Sequence, residues 1–120
     1  RLRLAALLHD AAEAYLGDMV KPLKQCFPAF SAIEAKVMAI IGERFSTTEF
    51  DAPAIKRADL IALATEKRDL MPNSTESWAS LRGLQPFPMR IIPMAPQEAK
   101  AAFLEAYRAL AGNQTDRRAA

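Results

Sequence analysis

The chain has 120 residues, 51% of them hydrophobic and 25% charged, and a net charge of +2, a composition that suits one globular domain with its own core. The mild, scattered positive charge argues against a nucleic-acid polymer as partner, and the lone Cys26 excludes an internal disulfide and a site of several thiolates. No apolar run approaches the roughly 20 residues that cross a bilayer, so the expectation is a soluble cytoplasmic protein with no membrane partner.

The first helix is expected over residues 2–16, with Leu4, Leu7, Leu8 and Tyr15 facing a core and Gly17 as its stop. It carries the only histidine, His9, followed directly by Asp10, with Glu13 one turn on and Asp18 just past the glycine. On a continuous helix His9 and Glu13 share a face at i,i+4, and Asp10 reaches Glu13 at i,i+3. One imidazole and two carboxylates thus gather within a turn, at the edge of an apolar interior where polar groups need partners. The chain opens at Arg1 already in helical pattern, with no initiator methionine, leader or cap, so the expectation is a domain lacking some upstream residues.

Residues 19–28, with prolines at 22 and 28, read as a short turn or broken helix. Ser31 and Glu34 have the spacing of a capping box for a second helix, which Ile33, Val37, Ile40, Ile41 and Phe45 carry to an end near Ser46. Asp51 and Pro53 mark the start of a third, running to about Leu70 before Pro72. Its stripe of Ile55, Ala58, Asp59, Ala62, Leu63, Glu66 and Leu70 is apolar except for Asp59 and Glu66. A carboxylate in such a seam has to be paired, hydrogen-bonded or metal-bound. Lys56, Arg57 and Arg68 are candidate partners for Asp59, although Arg57 lies two positions away and points elsewhere on a helix. Glu66, Arg68 and Asp69 read as local ion pairs at the helix end.

Residues 72–96 hold five prolines, a long connection of the kind that forms lids and binding loops. A short helix is expected around residues 75–81, Trp78 is expected to plug the core beneath the loop, and Cys26 reads as a small buried hydrophobe. The last helix spans residues 97–110, with Ala99, Ala102, Phe103, Ala106, Tyr107 and Leu110 on one face, and beyond Gly112 a disordered tail is expected. The sequence thus predicts an all-α chain, one helical domain over residues 1–112 and a tail over 113–120.

A divalent cation accepts imidazole nitrogen and carboxylate oxygen together, so His9 and Asp10 on one helix could meet Asp59 on another across a bundle core. The HD doublet within ALLHDAAEAYLGD, and the downstream KRADLIALATEKRDLMP that contains Asp59, resemble the HD-domain metal-dependent phosphohydrolases. The likeness is narrower toward the branch that includes bacterial 5′-deoxynucleotidases, and it covers residues 4–110. The resemblance implies an HD-domain-like helical bundle, with the long Pro-rich connection before its last helix. It implies a metal held by His9, Asp10 and Asp59, one divalent ion drawn from Mn, Co, Mg, Zn, Ni or Fe. By the same resemblance Glu13 and Asp18 match the acidic pair that activates water and positions substrate, while Lys21 in the following LysPro lies toward the phosphate. The implied activity is metal-dependent hydrolysis of a nucleotide or similar small phosphate monoester, with a nucleoside monophosphate as partner. The family's first histidine ligand lies upstream of the doublet, where this chain has no residues. That departure supports the rival expectation of a catalytically degenerate HD-fold interaction or regulatory module, and apolar surface left by a missing helix would favour a homodimer.

Overall fold

The computed structural model describes residues 1–72 and 76–115. These residues are all-helical, with no strand among them, in the order α1 (Leu2–Leu7), α2 (Glu13–Leu16), α3 (Lys21–Lys24), α4 (Pro28–Phe45), α5 (Pro53–Leu70), a 3-10 turn (Ala79–Leu81) and α6 (Pro96–Thr115). The all-α expectation holds, and no described helix is long and apolar enough to cross a membrane. The chain divides into two compact units, Arg1–Phe50 with Tyr107–Ala120, and Asp51–Ala106.

Proline sets the start of every long helix. Pro28, Pro53 and Pro96 each stand in the first turn of α4, α5 and α6, where the missing N–H is no loss and the fixed φ suits the helix. Three expected start signals give way to this. Ser31 lies inside α4 and makes no cap, and the Glu34 carboxylate instead receives the Lys24 ammonium at 2.7 Å. Asp51 is not the cap of α5 either, and its carboxylate lies 3.0 Å from Lys56 Nζ. At α6 the helix starts one residue earlier than expected, and the Glu98 carboxylate accepts the Ala95 N–H at 2.9 Å, which satisfies one of the orphan donors of a helix N-terminus. The helix also runs through Gly112 to Thr115 rather than ending at 110. Of the expected tail, residues 116–120 lie outside the described residues.

In the first unit the buried apolar residues are Leu4, Ala5, Leu8, Ala12 and Ile41. Tyr15, expected on the core side, is 77% exposed, because the helix that would have carried it inward is broken. The short helix that the two prolines predict is present as α3, and it packs on α4. Cys26 follows it on the surface, with its thiol near the Pro22 carbonyl, rather than buried. Phe45 meets Tyr107 edge to face at 5.6 Å between ring centroids, a geometry that contributes about 0.5–1.5 kcal/mol beyond area burial.

α4 ends by wrapping over a glycine. Ser46 takes φ 53 and ψ 43, its N–H bonds Glu43 O, and the Thr47 N–H reaches back to Gly42 O at 3.0 Å. This is the paired C-terminal closure in which a left-handed residue satisfies the last carbonyls. The return is so close that a Cβ on Gly42 would stand 2.6 Å from Thr47 O and 3.2 Å from the Phe50 ring. Thr47 is buried, and its hydroxyl has no hydrogen-bond partner among the described residues.

In the second unit Ile55, Ala64 and Thr65 are the buried residues of α5. The Pro-rich segment after it is held by polar bonds. Thr65 Oγ1 donates to Ile61 O at 2.7 Å and accepts the Phe87 N–H at 3.0 Å. Arg68 grips Asp69 through two 2.6 Å bonds and donates to the carbonyls of Phe87 (2.6 Å) and Met89 (3.0 Å). Asp69, its side chain only 2% exposed, accepts the Ile91 N–H at 2.9 Å. The expected ion pairing at this helix end is therefore present for Arg68 and Asp69, and it also fixes residues 87–91 along α5. Trp78 is half-buried rather than a core plug, with the Lys67 ammonium 4.7 Å from its ring centre. Lys67 also donates to the Glu76 carbonyl, so a cation over an aromatic face secures the turn. The expected helix near residue 75 is reduced to Ala79–Leu81, and Thr75 lies outside the described residues.

Two outcomes follow. At the α4 corner, Gly42→Ala is expected to destabilise by about 1–3 kcal/mol through steric crowding, while Thr47→Val gains about 1 kcal/mol by removing an unpaired buried hydroxyl; chemical denaturation of both variants checks the opposite signs. On α5, the Arg68 hydrogen bond, aided by the Ile91 amide, pulls the Asp69 carboxyl from 3.8 down to about 2. A depressed carboxylate pKa adds stability that is present above 3.8 and disappears as pH falls from there toward 2. Amide-exchange protection at Phe87 and Ile91 should fall across that window, and Asp69→Asn should lose it already at neutral pH.

Candidate functional site

The doublet that draws attention in the sequence lies where the first helix stops being a helix. α1 ends at Leu7, Leu8 sits at φ −107 and ψ 8, and residues 8–12 continue as turns until α2 begins at Glu13. The bonds change character there. Ala11 N–H goes to Leu8 O and Glu13 N–H to Asp10 O, three residues back instead of four. The Ala6 carbonyl, which a continuing helix would offer to the Asp10 N–H, takes the His9 ring at 2.9 Å. A side chain that bonds the nearby backbone in this way competes with the helix ladder. The expected single helix over 2–16 is therefore two, and helical i,i+4 stacking of His9 on Glu13 is not what organises the site.

The break orients the imidazole. A carbonyl oxygen only accepts, so Nδ1 carries a proton and donates it to Ala6 O. That bond fixes the ring with Nε2 3.0 Å from Asp10 Oδ2. In the tautomer protonated at Nδ1, Nε2 presents a lone pair toward the carboxylate, and a nitrogen and an oxygen so placed are the donor types that one divalent cation takes together. Two ligand atoms at right angles, each about 2.1 Å from one ion, are about 3.0 Å apart, so the donor pair fits a divalent cation. A Nδ1–H to backbone carbonyl bond is also the usual support of a ligating histidine. His9 is half-buried and Asp10 exposed, which leaves the pair open to solvent on one side.

Glu13 opens α2 and is half-buried. Burial pushes its carboxyl above the ordinary 4.5, the negative charges of Asp10 and Asp18 push it further, Lys24 pulls it down and Glu34 adds to the rise. Asp18 follows Gly17, which ends α2 at φ 75 and ψ 163, a conformation open essentially to glycine alone. The expected glycine stop is thus present, and it turns the chain so that Asp18 joins the field around Glu13. Lys21, at the start of α3, is exposed. Lys24 is the basic residue directed at these acids. Its ammonium is held by Glu34 at 2.7 Å and lies 5.6 Å from the Phe30 ring centre. Its pKa is raised, first by that hydrogen bond, with Glu13 and Asp18 contributing. Sequence reading missed the Lys24–Glu34 pair because the two residues are ten apart on separate helices, and Glu34 already had a local explanation as a capping residue.

Asp59 belongs to the second unit and stands on α5. The structure corrects its setting: Asp59 and the neighbouring Ala58 are exposed, and Glu66 and Leu70 of the expected seam are exposed as well. The buried positions are Ile55, Ala64 and Thr65. The argument that burial forces Asp59 to find a metal or partner therefore lapses.

The chain is 40% identical over 103 residues to the uncharacterized protein YfdR of Escherichia coli strain K12, an alignment covering 85% of this chain and 58% of that one. It is 34% identical over 113 residues to an uncharacterized protein of Rhodobacter capsulatus, covering 86% of this chain and 57% of that one. The chain thus spans somewhat over half the length of these curated relatives. No family model and no solved structure matches it.

The raised carboxyl of Glu13 yields a stability test. Above its folded-state midpoint the ionised Glu13 is penalised by burial and by its acidic neighbours, whereas below the ordinary value of 4.5 it is neutral in both states and the penalty vanishes. Glu13→Gln is therefore expected to melt higher than the parent chain at pH 7, the difference closing at pH 4 and below; thermal unfolding followed by circular dichroism at both pH values reads this out.

Proposed function

We propose that the chain is the helical part of a divalent-metal-dependent phosphohydrolase acting on a nucleotide or similar small phosphate monoester. The observation that carries the reading is the His9–Asp10 pair: an imidazole fixed by Ala6 with its second nitrogen 3.0 Å from a carboxylate oxygen. His9, Asp10 and Asp59 are the ligands in this reading, and one imidazole with two carboxylates suits Mn, Co, Mg, Zn, Ni or Fe. When bound, the ion supplies Lewis-acid stabilisation of charge on the phosphoryl group and a more acidic water. The resemblance to HD-domain phosphohydrolases supports the assignment of Asp59 and the HD-like arrangement of the helices.

The protein's own side chains then divide the proton work. Glu13, with a carboxyl made more basic than usual, accepts the proton that water loses as its oxygen bonds to phosphorus; a base closer to neutral pH does this better. The bond from phosphorus to the ester oxygen breaks, and the leaving oxygen takes a proton from Glu13 or from solvent, so that alcohol and phosphate are released. Asp18 adds to the rise of the Glu13 pKa, and Lys21, exposed at the start of α3, is in this reading the group that meets the phosphate. A cytoplasmic setting, in which the lone exposed thiol of Cys26 stays reduced, belongs to the same reading.

The test is metal uptake followed by catalysis. After dialysis against manganese, elemental analysis of the purified chain should give stoichiometric metal that is lost in Asp10→Ala and Asp59→Ala. A panel of nucleoside monophosphates should then be hydrolysed only by the metal-loaded chain, with both variants inactive and their helical spectra unchanged. Uptake that survives Asp59→Ala would remove Asp59 from the ligand set, and absence of uptake and hydrolysis would leave a helical interaction module.

A further inference from the structure

The apolar stripe of α4 is wider than the first unit uses. Ile41 is buried and Val37 and Phe45 are half-buried, so the unit takes the side of the helix that these three line. Ile33 and Ile40 lie off that side, 49% and 65% exposed. Two turns apart, they stand one above the other, and the exposed Lys36 and Glu43 alternate with them at steps of three and four. The outer face of α4 therefore reads Ile33, Lys36, Ile40, Glu43, with exposed alanines at 32 and 39 beside it. Single exposed apolar residues are ordinary, but two isoleucines at heptad spacing, interleaved with one cation and one anion, have the composition of a helix–helix seam.

We propose that this face pairs with the same face of a second copy of the chain, α4 against α4 in antiparallel about a two-fold axis. The charges select the orientation. Parallel pairing would set Lys36 beside the partner's Lys36 and Glu43 beside the partner's Glu43, like against like. Antiparallel pairing centred between residues 39 and 40 sets Lys36 against the partner's Glu43 and Glu43 against the partner's Lys36, so the contact is isologous and each ion pair occurs twice. The same register places Ile40 over the partner's Ala39, a large side chain against a small one, and brings the two Ile40 side chains together at the axis. Sliding the helices until Ile33 meets the partner's Ile40 would match apolar residues alone, but it moves the axis to residues 36 and 37 and crowds the two Lys36 ammonium groups. Charge opposes that register. In the favoured one Ile33 reaches just past the last turn of the partner's α4, to the left-handed Ser46 that ends the helix. Two isoleucines and two symmetric surface ion pairs make a concentration-dependent dimer rather than an obligate one. The face shares no residue with the candidate site, so the pairing stands apart from the phosphohydrolase reading.

Sedimentation velocity over a concentration series of the purified chain tests it, with circular dichroism confirming that each variant is folded. The parent chain should pass from monomer to dimer as concentration rises, and added salt should weaken the dimer. Ile40→Asp should leave monomer only. Lys36→Glu alone and Glu43→Lys alone each replace two attractive pairs with two repulsive ones and should weaken association roughly tenfold, whereas the double reversal Lys36→Glu with Glu43→Lys should return it to near the parent value. In a Cys26→Ser background, which removes the native exposed thiol, Ile40→Cys should crosslink two copies on air oxidation. Ile33→Cys should not, because the two copies of residue 33 lie roughly 20 Å apart along the paired helices. A chain that stays monomeric at every concentration leaves the outer face of α4 to a different partner and would overturn the proposal. A dimer untouched by Ile40→Asp, a double reversal as weak as the single ones, or crosslinking at 33 in place of 40 would overturn it as well.

Discussion

The bond from the His9 ring to the Ala6 carbonyl is the contact on which the first unit's chemistry depends. The capture of that oxygen by the imidazole coincides with the end of α1 and the passage into tight turns, so one side chain both interrupts the helix ladder and fixes its own ring. Nε2 then points at Asp10, and α2 restarts with Glu13 at its first position. Had the helix continued, His9 would have stacked on Glu13 and the adjacent aspartate would have pointed a third of a turn away.

This explains which parts of the architecture were legible in the sequence. The long helices were, because a three-to-four spacing of apolar residues is a property of the chain itself, but only Pro53 was read as a start; Pro28 and Pro96, which also stand in the first turns of α4 and α6, were read as parts of the preceding connections. The break at residues 8–12 was not, because a side chain capturing a backbone carbonyl leaves no periodic trace. Residue types singled out His9, Asp10, Glu13 and Asp18, but the continuous helix on which their spacing was read is broken at residues 8–12. Asp59 shows the converse error. Alanines at 58 and 62 look apolar to a helical wheel, yet they offer too little surface to define a buried face, and α5 hides Thr65 instead, a polar residue whose hydroxyl is satisfied on both sides.

The Pro-rich segment makes the same point in the second unit. A connection rich in proline forms few backbone ladders, so its order has to come from elsewhere. Here helix side chains supply it: Thr65 and Asp69 accept two of its N–H groups, and Arg68 donates to two of its carbonyls. Apolar burial contributes less, since Phe87 and Met89 remain largely exposed. Reading Arg68 and Asp69 as a local ion pair was right about the pair and silent about its purpose, because the partners lie about 20 residues away in an irregular stretch.

Two carboxylates in this chain show how the same group is driven in opposite directions by what surrounds it. Asp69 is enclosed, but a bidentate guanidinium and a backbone amide meet both of its oxygens, so its ionised form is favoured despite burial. For Glu13, burial first and then the negative charges of Asp10 and Asp18 outweigh the pull of Lys24, so its neutral form gains ground. The first arrangement locks a loop and has no use for a proton. The second leaves a carboxyl easier to protonate than usual, in the field of an Asp10 carboxylate that stands 3.0 Å from the His9 imidazole. The ammonium of Lys24 pulls the other way on Glu13, and its 2.7 Å bond to Glu34 also ties α3 to α4.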